Sequence, residues 1–143
     1  MSLIEIVNHA QERGAALRPR TGGFPYLAES LRLAGVTRIA VTVPSWTTVL
    51  TSAEGSVIQQ GTPMIAATAE VPPFDVDMFV ASLRDDQEGR ITFPEWMQAT
   101  WRAGVVWYEV DLAARTCTYR SPAGESSVER YPAVDLGSRP TGA

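Results

Sequence analysis

The sequence predicts an α+β domain made by internal duplication of an ααβββ unit, with an antiparallel sheet and helices packed on one face. Three observations predict it. Two segments, FPYLAESLRLAGVTRIAV from Phe24 and FPEWMQATWRAGVVWYEV from Phe93, align without a gap at an offset of 69 residues. The matches fall on structural punctuation: Phe24-Pro25 on Phe93-Pro94, Ala34-Gly35-Val36 on Ala103-Gly104-Val105, and further on Thr47 on Thr116, Ser52 on Ser121 and Gly55 on Gly124. After each of the glycines 35 and 104, apolar and polar residues alternate with a period of two, the mark of a strand with one face in the core.

The elements follow in order. Residues 2–13 open with Ser2-x-x-Glu5, a capping box, and carry Leu3, Ile6, Val7 and Ala10 on one stripe of a helix. Pro25–Ala34 forms a second helix: proline suits a first helical turn because it has no N–H to leave unpaired, and Gly35 suits the left-handed position that ends it. The strand after Gly35 turns Ile39, Val41 and Val43 inward and Arg38, Ala40 and Thr42 outward. A second strand spans about 46–51, a turn falls at Glu54-Gly55, and a third strand spans 56–60. In the second half Asp75 caps a helix over 75–87, with Phe79, Val80 and Leu83 inward and Gly89 closing it. Pro94–Ala103 is the next helix. Tyr108, Val110 and Leu112 then point inward and Trp107, Glu109 and Asp111 outward, followed by strands over 115–120 and 125–131. In the third strand the offset sets Ile58 on Ser127, which breaks the apolar pattern and predicts a change of register.

The domain is therefore expected over residues 1–131: one half over about 2–60, a linker over 61–74, and the other half over about 75–131. Residues 132–143 are expected to be a flexible tail. Because a connection as long as 61–74 is unusual without structure of its own, an additional strand is expected around 64–68. Whether the six strands make one sheet or two is open at this level.

Composition narrows the class. The 143 residues suffice for one self-sufficient core, with 45% hydrophobic and 20% charged residues. No apolar run approaches the roughly 20 residues of a membrane helix, and MSLIEIVNHAQERG does not read as a secretory signal. Cys117 is the only cysteine, so no internal disulfide forms; a reducing, cytoplasmic setting is expected. The net charge of −4 opposes general attraction to nucleic acid or anionic lipid. All 12 basic residues are arginine, and Arg13, Arg18 and Arg20 cluster in one stretch beside Glu12.

No nucleophile–base pair, metal-ligand set or cofactor motif is legible. His9, the only histidine, reads as a surface or boundary residue of the first helix. Cys117, in step with Tyr119, reads as core packing, and one Cys with one His cannot assemble the usual zinc site. Asp75 is accounted for as a cap, and Asp85-Asp86 reads as a solvated helix end. Glu109 and Asp111 share a strand face and are the carboxylates placed for acid–base work. Of the four tryptophans, Trp96 and Trp101 point in different directions from one helix, so one belongs to the core and the other to an edge. If the second sheet face is open, Trp107 with Arg38, Thr42, Glu109 and Asp111 makes an aromatic floor with charged walls, and Trp46 begins the neighbouring strand; Arg38, Thr42, Trp46 and Trp107 are thus the ligand-binding candidates.

Three segments, FPYLAESLRLAGV, VPPFD followed by LRDDQEG, and AGVVWYEVDLAARTCTY followed by GESSVERYP, carry a resemblance over most of the chain. It resembles an uncharacterised bacterial family often given the automatic label "phage envelope protein". The resemblance implies no activity, cofactor or catalytic residue, and its label implies no more than an association with mobile elements. The expected function is a non-catalytic module that binds a small ligand or a protein, with a homodimer among its possible states. The alternatives are a small carboxylate-dependent enzyme using Glu109 and Asp111, and a mobile-element-associated regulator contacting nucleic acid through the arginine cluster.

Overall fold

The structure, a computed structural model, describes residues 1–137. Its order is α1 (Leu3–Leu17), α2 (Phe24–Leu33), β1 (Val36–Thr42), β2 (Thr47–Ser52), β3 (Gly55–Gln60), α3 (Val76–Gln87), α4 (Phe93–Arg102), β4 (Trp107–Asp111), β5 (Thr116–Arg120) and β6 (Ser126–Arg130). The unit ααβββ occurs twice. All six strands join in a single antiparallel sheet ordered β3-β2-β1-β4-β5-β6, so the halves meet strand to strand at β1 and β4.

The caps explain the helix boundaries. Ser2 and Glu5 close a reciprocal capping box on α1, and Asp75 accepts the Met78 N–H at 2.9 Å to start α3. α1 runs on to Leu17, past the expected end at residue 13, and stops where Arg18 turns extended ahead of Pro19. Thr92 and Glu95 make a second capping box on α4.

The duplication is exact in the inner strands. Arg38 pairs with Thr51 in the first half, and Trp107 with Arg120 in the second, each residue displaced by the same 69 positions. The turn residues Trp46 and Arg115, also 69 apart, both have positive φ, 53° and 55°. The register change in the third strand is present. Thr47 pairs with Gln60, but Thr116 pairs with Arg130, so the longer turn before β6 moves the offset to 70. Ile58 then corresponds to Val128, and both are exposed.

Core residues come from one face of the sheet. Ile39, Val41, Val43, Leu50 and Val57 in the first half join Tyr108, Val110, Leu112, Cys117 and Tyr119 in the second, under Val7, Leu31, Phe79, Trp96 and Met97 from the helices. Inward residues of the two first strands thus agree with the alternation read in the sequence. Among the described residues, the opposite face carries no helix. A row of directly paired residues, Ile58–Val49–Ala40–Glu109–Thr118–Val128, crosses all six strands on it.

The strand expected at 64–68 does not form. Residues 61–75 lack regular structure and are tied down singly: the Met64 N–H donates to the Pro44 carbonyl and the Asp75 N–H to that of Ala103. The segment spans from β3 at one sheet edge to α3 of the other half, and running past the strand ends gives it no edge to pair with. Of the tail, Leu136 is buried, and residues 138–143 lie outside the described residues. No helix among the described residues is long and apolar enough to cross a membrane.

Candidate functional site

On the helical side of the sheet, a cleft of about 980 Å³ opens between the two halves. One wall is the α1–α2 loop (residues 18–23) with Gln11 and Ala15 of α1; the other is the α3–α4 loop with Leu83, Asp86 and Gln87 of α3. Its floor is Tyr108 and Val110 of β4, Cys117 and Tyr119 of β5, and Glu129 of β6. Strand period two brings these together: each is an inward residue of its strand.

The cleft exists because the two halves pack differently. α1 lies close on β3 and α2 on β1; α3 and α4 make no approach of equal extent to β6 and β4. At equivalent positions the first half carries small aliphatic groups and the second large aromatic ones: Leu27 becomes Trp96, Ile39 becomes Tyr108 and Leu50 becomes Tyr119. Trp96 meets Tyr108 edge-on at 5.6 Å and Tyr119 at 6.1 Å, and the two tyrosine rings lie 5.3 Å apart. Phe93 stacks on Trp96 at 5.7 Å, and Phe24 meets Tyr131 edge-on at 5.2 Å near the mouth. Aromatic pairs favour edge-on and offset contacts over face-to-face stacking, which fixes the orientation of the rings in this wall.

Burial governs the titratable groups here. It raises the Tyr108 and Tyr119 phenols, which stay protonated as neutral donors, and pushes the Cys117 thiol up to about 12. Cys117 is thus a buried, protonated thiol that offers no nucleophile. Burial also raises the Asp86 carboxyl, against the pull of the Arg18 guanidinium, and the Glu129 carboxyl, against the amide of Gln87. The Gln87 side chain donates to Glu129 Oε1 at 2.8 Å, and Glu129 Oε2 is enclosed without a protein donor. The indole N–H of Trp96 is likewise buried without an acceptor.

A comparison with curated proteins finds relatives that match over most of the chain. The chain is 44% identical over 134 residues to the uncharacterized protein Mb2035 of Mycobacterium bovis and, to the same extent, to Rv2012 of Mycobacterium tuberculosis. The match covers 92% of this chain and 82% of each relative. The chain belongs to their family. No family model matches the sequence. The relatives' names state no activity, so the reading of the site rests on geometry.

The residues singled out in the sequence lie elsewhere. Arg38, Thr42, Trp107, Glu109 and Asp111 sit on the helix-free face, as the strand period requires. Trp107 is 42% exposed there. Arg38 pairs with Glu109, and Asp111 Oδ1 accepts the N–H groups of Ala113 and Ala114 at 3.1 and 3.0 Å, which holds the β4–β5 turn. Trp46 does not join them: its left-handed turn carries the ring towards α4, 5.7 Å from Phe93. Trp96 is core and Trp101 half-buried. His9 is exposed on α1. Asp86 departs from the solvated helix end expected of it, because the last turn of α3 points its side chain into the cleft. Sequence patterning does not bring Asp86, Glu129, Tyr108, Tyr119 and Trp96 together as a set. The signal available was the swap of aliphatic for aromatic residues between the aligned halves.

Proposed function

We propose that this protein is a small-ligand-binding module whose site is the cleft between its two halves. The observation that carries this is an apolar, aromatic-walled concavity of about 980 Å³ with a few convergent polar groups, the character of a small-molecule site. Neutral phenols, a protonated thiol and the absence of a nucleophile–base pair in the wall favour binding over catalysis. Nile red, a neutral planar dye that brightens in apolar surroundings, tests it. Saturable binding by the native protein is expected, with loss in Ala15→Trp, which places an indole in the cleft from an exposed position of α1. Equal binding by both proteins, or none by either, would remove this reading.

A second reading, protein contact through the helix-free sheet face, draws support from the exposure of Trp107, Ile58 and Val128 on that face, 42%, 68% and 61%. A Trp107→Ala variant that changes neither self-association nor cross-linking in cell extract would dismiss it.

A further inference from the structure

The duplication supplies an internal control for what the cleft prefers. In the first half, Gln11 of α1 and Gln59 of β3 join helix to edge strand by two reciprocal amide hydrogen bonds of 2.8 Å each, and both side chains are satisfied. In the second half the helix-to-edge-strand contact is Gln87, the last residue of α3, with Glu129 of β6; Glu129 stands where Gln59 does, while the helical partner comes from a different turn than Gln11. There a carboxylate replaces the amide at the equivalent strand position, and only one of its oxygens receives a donor. A buried acceptor without a donor is costly, and the charged form of a carboxylate more so. The neutral arrangement serves the same structural purpose at the opposite edge of the sheet, so holding helix to strand does not explain the carboxylate.

Its surroundings point to what would complete it. Asp86, one residue before Gln87, adds a second carboxylate to the same cleft. Arg18 is the cation that acts on Asp86; it and Arg20 and Arg130, which also line the cleft, are exposed side chains. The inner wall beside these acids is aromatic: Tyr108, Tyr119 and Trp96. Ring faces and desolvated carboxylates both favour a cation. On the reading that the cleft binds small molecules, we propose that its ligand is an amine on a flat apolar or aromatic body, its ammonium group directed to Glu129 and Asp86.

Displacement of bound Nile red by three probes that differ only in the terminal group decides it: naphthylethylamine, naphthylethanol and naphthylacetate. The amine should displace the dye at about tenfold lower concentration than the alcohol, the equivalent of roughly 1.4 kcal/mol for one partly desolvated charge pair. In Glu129→Gln, which copies the Gln59 clasp, and in Asp86→Asn, the amine-to-alcohol ratio should fall towards one. Equal potency of the three probes on the native protein, or a ratio that survives both substitutions, would overturn the amine assignment while leaving the cleft as a binding site. A preference for naphthylacetate would overturn it in favour of anion recognition by Arg18 and Arg20. Failure of Nile red itself to bind would remove the cleft reading on which this rests.

Discussion

Ala40 and Glu109 face each other across β1 and β4, and they are also equivalent residues of the two halves, 69 positions apart. The pseudo-two-fold axis therefore passes between them, at the middle of the sheet. A duplicated unit that joins through its own first strand must pair one residue with its own equivalent. This axis leaves through the helix-free face, where Glu109 meets Arg38.

That ion pair is surface chemistry, and its removal should show as much. Glu109→Gln is expected to cost less than ~1 kcal/mol in urea denaturation, because exposed pairs gain little over hydration. Nile red binding should be unchanged, since Glu109 is on the far side of the sheet from the cleft. A loss of binding would mean that the two faces are coupled.

Gly35 and Gly104 end α2 and α4 at equivalent points with φ of 100° and 83°. A Cβ at residue 35 would meet nothing within 4 Å; at residue 104 it would come within 2.6 and 2.7 Å of the Pro72 and Pro73 carbonyl oxygens. Gly35→Ala should cost about 1–2 kcal/mol for the left-handed backbone alone. Gly104→Ala should cost more than ~3 kcal/mol, because the linker's backbone must also shift. Paired thermal melts decide the matter, and equal losses would show that the linker does not hold against α4.

Glu129 contributes unfavourably to stability at neutral pH. Burial raises its carboxyl above the unfolded value, Gln87 opposes this, and Asp86 reinforces it; Cys117 and Tyr119 face it in protonated form. Between the unfolded and the folded pKa the native state binds more protons, so stability falls as pH rises through that window. Glu129→Gln should therefore melt higher than the native protein at pH 7.5, with the difference vanishing in acid below the unfolded value. A variant that melts lower at neutral pH would show that the carboxylate stabilises the fold.

Cys117, with its thiol pushed up to about 12, should resist iodoacetamide in the folded protein at pH 8. Against an ordinary thiol near 8.5, the thiolate fraction is lower by on the order of a thousandfold. Labelling should become rapid only in denaturant, as measured by mass spectrometry. Rapid labelling of the native protein would place the sulfur in open solvent.

The sequence alone encodes the duplication, the caps at Ser2 and Asp75, the inward faces of β1 and β4 and the register change before β6, whereas the Thr92–Glu95 box went unread in it. Each of these is a local matter: a proline, a glycine, a capping oxygen or a period of two acts within a few residues. It also placed Arg38, Thr42, Trp107, Glu109 and Asp111 on one face, since alternation decides faces. Long-range packing settles that the six strands close into one sheet through β1 and β4, that no strand forms over 64–68, and that Trp46 turns towards α4. It alone decided that the helices of the second half stand off the sheet far enough to leave a cleft, and that Asp86 and Glu129, from separate elements, share it. Those outcomes depend on how side-chain volumes from distant segments fill a common space. Exchanging Leu27, Ile39 and Leu50 for Trp96, Tyr108 and Tyr119 preserves the alternation while changing the packing, so local periodicity carried no trace of the cavity.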